Sequence, residues 1–194
     1  MTILAGVASG GQDTGCVCMK FNKTRIPGVW VVETEPAEDE RGWFSRSWCK
    51  KEFAAHGLNT EMMQCGMSLN RRKGTLRGMH YQSEPHGECK LVRCLRGALH
   101  DVVVDLRPNS PVFRQVVAVD LTQDNLKAIY IPEGVAHGFQ TLTDNATLFY
   151  QMSTPYAPEA ASGVRWNDAE FQIEWPIAGV IVCERDAAFP DFIQ

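Results

Sequence analysis

A cluster of cationic side chains is the first candidate for chemistry in this 194-residue chain. Arg77 and His80 lie in the segment 74–82, and Lys90 begins the next apolar run. On two neighbouring strands of a barrel, these side chains would converge at its mouth. A lone histidine more often has a structural role, but three cationic types this close together in an acidic chain favour an anion-binding or catalytic site.

A second histidine, His137, follows the turn Pro132-Glu133-Gly134. This Pro-x-Gly-x-x-His spacing resembles the second half of the cupin motif, where a tight turn aims a histidine into the barrel. The first half usually holds two histidines and a glutamate, whereas the segment here offers only His80. Because two histidines without a third ligand make a weak metal site, we expect no catalytic metal.

Two further side chains carry little information by themselves. Tyr150 lies in a short apolar run and fits a half-buried strand aromatic. Asp186 belongs to a polar tail, and acidic residues near a C-terminus are usually solvated. The residues alone therefore give neither side chain a chemical role.

Short β-rich runs separated by turn residues must position these groups, and they predict a sandwich or barrel. Strands are expected at 28–33, 112–121, 128–131, 137–142 and 146–152. The run 92–106 is interpreted as a hairpin broken at Arg96-Gly97. One helix is expected over 47–56, with Ser47 accepting its first free amides and Gly57 ending it.

Length and composition limit the function classes. A chain of 194 residues with 44% hydrophobic composition can bury one good core, so we predict a single domain at 21–194 after an N-terminal extension at 1–20. The net charge of -4 argues against a broad nucleic-acid surface. The chain has seven cysteines without even spacing, which indicates reduced thiols. It shows no secretory n-region and no long apolar run, so we expect a cytoplasmic protein without membrane contact.

Several segments together resemble the dTDP-4-dehydrorhamnose 3,5-epimerase family, from about residue 27 to residue 192. They keep the family order and nearly the family spacing. They are 39–44, 74–82, 90–93, 101–107, 132–139, Tyr150, 163–168 and 173–176. The resemblance implies an all-β, cupin-type jelly-roll barrel with a few short helices. It also implies epimerisation at C3 and C5 of dTDP-4-dehydro-6-deoxyglucose without a cofactor.

The resemblance assigns roles to individual side chains. His80 matches the general base, and Asp186 matches the carboxylate that orients it. Tyr150 matches the residue that returns a proton from the opposite face, and Lys90 matches a residue near the C4 oxygen. Asp101 lies at a position associated with the same site, where we expect a supporting role.

The nucleotide half of the substrate is expected to contact a second group of residues. Arg41 and Arg77 match positions that contact the two phosphates, and His137 is expected to line the same pocket. Gln64 matches a further substrate-binding position. Phe44 matches an aromatic that reaches the nucleobase from the partner subunit, so the resemblance implies a homodimer with exchanged strands.

Three other functions remain open at this stage. A relative could invert C3 alone, and residue identities do not separate that reaction from inversion at both carbons. A metal-dependent cupin enzyme would use His80 and His137 as ligands. A non-catalytic cupin would bind the nucleotide sugar without exchanging its protons.

Overall fold

The computed structural model describes residues 18–192, and β-strands dominate this part of the chain. The strands are β1 Met19–Lys23, β2 Trp30–Thr34, β3 Ala37–Asp39, β4 Gly42–Phe44, β5 Gln64–Asn70, β6 Leu76–Gln82, β7 Lys90–Arg96, β8 Ala98–Asp105, β9 Val116–Thr122, β10 Ala128–Ile131, β11 Val135–Thr141, β12 Ala146–Met152 and β13 Ala161–Gly163. The helices are α1 Lys50–Ala55 and α2 Glu184–Ala187. Most of the predicted extension 1–20 lies outside the described residues, and β1 begins at Met19.

Two antiparallel sheets form the body of the fold. The larger sheet has the order β1-β2-β10-β7-β12-β5, and the smaller has the order β13-β6-β11-β8-β9. Apolar side chains from both sheets, including Val92, Leu148, Val103 and Phe139, meet in one buried core. The prediction of an all-β, cupin-type fold with a few short helices is confirmed by this architecture.

The connection at Gly97 differs from the predicted hairpin. β7 pairs with β10 and β12, whereas β8 pairs with β9 and β11, so the turn carries the chain from one sheet to the other. Gly97 has φ +76°, and a Cβ there would lie 2.3 Å from Thr143 Oγ1. The prediction was wrong because two buried strands joined by a tight turn look alike in sequence whether they pair or cross the core.

The predicted helix is shorter than expected. Its N-cap is Cys49, with no side-chain hydrogen bond, and Ser47 instead offers its carbonyl to the Arg93 guanidinium. Gly57 adopts φ +71°, and its amide bonds the carbonyl of Ala54, as expected for a glycine after the last turn. Phe53 anchors α1 on the outer side of the larger sheet.

The remaining strand predictions agree closely with the structure. β10 and β12 have the predicted bounds, and the turn before β11 contains Gly134 at φ +73°. β9 begins at Val116 rather than residue 112, because turns occupy the chain up to Arg114, which has φ +69°. In residues 18–192, no helix is long and apolar enough to cross a membrane.

Candidate active site

A cavity of about 290 Å³ lies between the two sheets, and both contribute to its wall. β6, β11 and β13 supply one side, while β5, β7 and β12 supply the other. Five of the predicted site residues line it: Arg77, His80, Lys90, His137 and Tyr150. The fold therefore joins residues that lie up to 73 positions apart in the sequence.

His80 and Asp186 form the tightest pair at this cavity. His80 Nε2 lies 2.7 Å from Asp186 Oδ1, and the second carboxylate oxygen accepts the Gly78 amide at 3.0 Å. Asp186 is 2% exposed on α2, whereas the His80 side chain is 36% exposed towards the cavity. The tail that looked solvated in sequence thus folds back and buries its carboxylate behind the histidine.

The protonation state of Asp186 decides which ring nitrogen of His80 is free. Burial alone would raise the pKa of Asp186, but the hydrogen bond and charge of His80 and the Gly78 amide outweigh it and lower the pKa. An ionised carboxylate only accepts hydrogen bonds, so Nε2 carries the hydrogen. Nδ1 is then the ring atom with a lone pair that can take up a proton.

The backbone of β6, which carries His80, packs closely against the backbone of β11. Gly78 has φ +138°, and a Cβ there would lie 2.5 Å from the Cα of Gly138 on β11. Such an approach is possible only without side chains on both strands. At this approach the Gly78 amide donates to Asp186, and the register between β6 and β11 shifts.

Tyr150 lies across the cavity, on the larger sheet, next to a second histidine–carboxylate pair. His137 Nε2 is 2.9 Å from Asp101 Oδ2, and the rings of His137 and Tyr150 meet edge to face at 6.4 Å. Burial and the charge of Asp101 raise the pKa of Tyr150. Its hydroxyl therefore stays protonated and can act as a proton donor.

Asp101 itself lies behind the cavity wall and is fully buried. Burial raises its pKa, although the neighbouring His137 acts in the opposite direction. Its Oδ1 has no hydrogen-bond partner within residues 18–192. Asp101 thus contacts the cavity wall through His137 and does not itself line the cavity.

Lys90 enters the cavity from the first residue of β7. Its Nζ lies 2.9 Å from Glu88 Oε1, and the two side chains are only 11% and 9% exposed. Arg77 reaches the cavity from β6, where its Nε donates to Asn70 Oδ1 at 2.8 Å and leaves the guanidinium end available. The site thus presents two cations near the histidine and the tyrosine.

Three predicted residues lie elsewhere. Gln64, at the start of β5, accepts the Tyr156 amide at 3.3 Å and is not part of the cavity wall. Arg41 and Phe44 lie on the β3–β4 hairpin, with the Arg41 side chain 85% exposed and Phe44 69% exposed. Within one chain, the structure does not bring these hairpin residues to the cavity.

The sequence reasoning missed other residues of the wall. They include the polar residues Glu88, Arg185, Tyr81, Tyr156 and Ser162, together with the small residues Gly66 and Ala161. The spacing could have predicted Glu88, because it lies two positions before Lys90 and residues at that spacing share one side of an extended segment. Arg185 could have been predicted as well, since it adjoins Asp186.

Metal-ligating side chains do not assemble at this site. In residues 18–192, no three of the His, Cys, Asp and Glu side chains are grouped so that they could hold a metal ion. His80 and His137 each engage a separate carboxylate.

Comparison with known proteins identifies the family. The sequence model described as dTDP-4-dehydrorhamnose 3,5-epimerase matches residues 23–194. The chain belongs to the dTDP-4-dehydrorhamnose 3,5-epimerase family. The family resemblance inferred from the sequence is thereby confirmed.

Individual members of the epimerase family are similar along most of their length. The dTDP-4-dehydrorhamnose 3,5-epimerase of Shigella flexneri is 40% identical over 177 residues, which cover 91% of this chain and 97% of that relative. The crystal structure of the Bacillus anthracis epimerase with TDP and PPi bound has a TM-score of 0.88 at 35% identity, covering 90% and 100% of the two chains. A Legionella pneumophila 3,5-epimerase in complex with dTDP-4-keto-L-rhamnose has a TM-score of 0.84 at 36% identity, with 89% and 92% covered.

Proposed function

We propose that this protein is a 3,5-epimerase that inverts C3 and C5 of dTDP-4-dehydro-6-deoxyglucose in the synthesis of dTDP-L-rhamnose or a related deoxysugar. The observation that carries the proposal is the His80–Asp186 pair, which lines the same cavity as Tyr150 and Lys90. Family membership gives the substrate class, since relatives carry this activity in their names and one was solved with dTDP-4-keto-L-rhamnose.

Proton removal is the first step of the proposed reaction. The C4 carbonyl of the sugar acidifies the protons at C3 and C5, so a well-placed base can remove them near neutral pH. His80 is that base, with Asp186 holding Nε2–H and leaving Nδ1 to accept the proton. Removing and returning a proton changes no oxidation state, so the chemistry needs no redox cofactor.

The enolate formed by proton removal needs a positive partner at its C4 oxygen. Lys90 supplies that charge from β7, in a cavity whose burial strengthens the interaction. One well-placed donor of this kind typically contributes about 3 kcal/mol to transition-state stabilisation.

Return of a proton to the opposite face completes each inversion. Tyr150 is the donor in the proposed mechanism, because its raised pKa keeps the hydroxyl protonated and it lies across the cavity from His80. Asp101 supports this state by its charge, and His137 links Asp101 to the cavity wall.

The nucleotide part of the substrate is bound by arginines in this proposal. Arg77 contacts the diphosphate, for which the planar guanidinium is well suited, and His137 lines the same cavity. Gln64 lies outside the wall and accepts the amide of Tyr156, which lines it. Arg41 and Phe44 reach the site of a second subunit, which explains why one chain leaves the β3–β4 hairpin exposed. The proposed assembly is therefore a homodimer.

The proposed location is the cytoplasm. In the described part of the chain, Cys49, Cys65, Cys89, Cys94 and Cys183 are free thiols, and Cys89 and Cys94 are buried in different clusters. Reduced cysteines of this kind are typical of reducing compartments.

The decisive test is proton NMR of chelator-treated protein with dTDP-4-dehydro-6-deoxyglucose in deuterated water. We expect deuterium at both C3 and C5, and the matched variant His80→Ala should lose both while retaining its melting temperature. Exchange at C3 alone would replace the proposal by a 3-epimerase. Binding without exchange in both chelator-treated and untreated protein would leave a non-catalytic protein, and exchange in the untreated protein alone would support a metal-dependent enzyme.

A further inference from the structure

We infer that Glu88 is a positioning residue that holds the Lys90 ammonium at the enolate oxygen. The inference rests on the proposed function, because it concerns the same cavity and the same reaction. It adds a carboxylate that neither the sequence pattern nor the family resemblance singled out.

The contact between the two side chains is direct and shielded from water. Glu88 Oε1 lies 2.9 Å from Lys90 Nζ, both side chains are about nine-tenths buried, and both line the cavity. Among residues 18–192, Glu88 is the carboxylate that forms an ion pair with this ammonium. The other Lys–Glu pairs found within residues 18–192 are more exposed, from Lys127–Glu33 with side chains 35% and 37% exposed to Lys50–Glu61 with 63% and 71%.

The backbone between the two residues is anchored on both sides. The Cys89 amide donates to Ser153 Oγ at 2.8 Å, and the Cys89 carbonyl accepts the Ser153 amide at 3.0 Å. Cys89 is buried in the outer cluster against α1, so its two neighbours point the opposite way, into the cavity. Glu88 and Lys90 are thus fixed on one side of the same short segment.

A lysine needs such a partner to act as an electrophile. Its ammonium sits on a flexible four-carbon stem, and burial favours the neutral amine unless a carboxylate stands nearby. Glu88 fixes the position of Nζ and places a carboxylate oxygen 2.9 Å from it. A bond to one carboxylate oxygen leaves the other hydrogens of the ammonium free to face the C4 oxygen.

The test is a double-mutant cycle on kcat and KM with dTDP-4-dehydro-6-deoxyglucose. Glu88→Gln should lower kcat by about 10- to 100-fold with KM changed less than about threefold, because the contact matters in the transition state. In a Lys90→Met background the same change should have almost no further effect, since Glu88 acts through Lys90. Glu61→Gln, which removes the exposed Lys–Glu pair, should leave both constants unchanged.

A purely structural role for Glu88 would give a different pattern. It would lower the melting temperature, and its effect would add to that of Lys90→Met. If Glu88→Gln has a lower melting temperature than the wild type, Glu88→Asp is the variant to use. It keeps the negative charge but moves it away from Lys90 Nζ, so it should fold normally with a kcat between those of the wild type and Glu88→Gln.

The possible failures are distinguishable. A wild-type protein that exchanges no protons at C3 or C5 overturns the proposed function and this inference with it. If the wild type is active, three results for Glu88→Gln would overturn the inference and leave the proposed function intact. They are a wild-type kcat, a change in KM alone, or the same loss of kcat in the presence and absence of Lys90.

Discussion

At the scale of single residues, Asp186 uses both of its carboxylate oxygens beside the cavity. One oxygen fixes the His80 ring and the other fixes the Gly78 amide of the strand that carries His80. The pKa of Asp186 is lowered, so its carboxylate form persists below the pH at which an isolated aspartic acid takes up a proton. Its orienting effect is therefore present at neutral pH and is lost only as the pH falls through that lowered pKa.

Replacement of Asp186 by asparagine should disable the base. The amide can donate to Nε2 of His80, which favours the tautomer with its hydrogen on Nδ1 and removes the catalytic lone pair. We expect kcat to fall by about 10²- to 10⁴-fold at unchanged melting temperature, as for carboxylates that orient a catalytic histidine. Glu184→Gln, a change of an exposed acid on the same helix, is the control, and wild-type kcat in Asp186→Asn would refute the assignment.

Tyr150→Phe should separate proton removal from proton return. Because His80 and Lys90 stay in place, solvent exchange at the sugar should continue while formation of the epimer falls by about 100-fold. Proton NMR in deuterated water follows both quantities in one sample. If exchange and epimer formation fall equally, Tyr150 is not the donor on the second face.

The sequence predicts part of this site and misses another part for a physical reason. The sequence indicated a site because three cationic side chains lie close together along the chain. These are Arg77, His80 and Lys90. Asp186 lies 106 positions from His80, and only the folded tail brings it there. Glu88 was missed because a glutamate two positions from a lysine usually belongs to a solvated surface. Only the folded structure shows that the Glu88 side chain is buried.

At the scale of elements, the contact between β13 and the C-terminal segment brings that segment next to His80, the proposed base. A Cβ at Gly163 would lie 2.5 Å from the Met79 carbonyl oxygen and 2.5 Å from the Phe189 ring. That ring lies 6.0 Å from His80, just after the helix that carries Asp186. The C-terminal segment can reach His80 only because β13 has no side chain there.

Gly163→Ala should therefore push the C-terminal segment away from β6. We expect a loss of about 1–3 kcal/mol of stability, typical of overpacking, together with a lower kcat. Urea unfolding and steady-state kinetics measure the two effects. Gly179→Ala is the control, since a Cβ there meets nothing within 4 Å, and equal behaviour of both variants would contradict the packing argument.

Strand positions followed from the sequence more closely than strand partners did. β10 and β12 had their predicted bounds because apolar runs end at recognisable turn residues. The partners of β7 and β8 did not follow, because pairing depends on contacts between distant segments and both possible arrangements bury the same residues.

At the scale of the whole molecule, the exposed β3–β4 hairpin is the feature that one chain leaves unexplained. Trp43 and Phe44 expose 55% and 69% of their surface, and β5 forms a sheet edge with Met67 and Leu69 also exposed. Aromatic and apolar side chains grouped in this way are typical of an interface. They support the proposed exchange of hairpins between two subunits.

Mixing two inactive variants should restore activity if the exchange occurs. One variant carries Arg41→Ala and Phe44→Ala, and the other carries His80→Ala. A mixed dimer has one site with an intact base and an intact partner hairpin, so random reassociation should restore about one quarter of wild-type activity. No recovery, in a mixture shown to form mixed dimers by mass spectrometry, would place the hairpin outside the site.

The division of the site between two sheets has a stereochemical consequence. His80, the proposed base, lies on the smaller sheet, and Tyr150, the proposed proton donor, lies on the larger one. Facing sheets lie about 10 Å apart, which leaves room for one flat ring with a short polar contact above and below it. In the proposed mechanism, the planar enolate in that gap meets a different sheet on each face. The distance between the sheets therefore favours return of the proton to the face opposite the one it left.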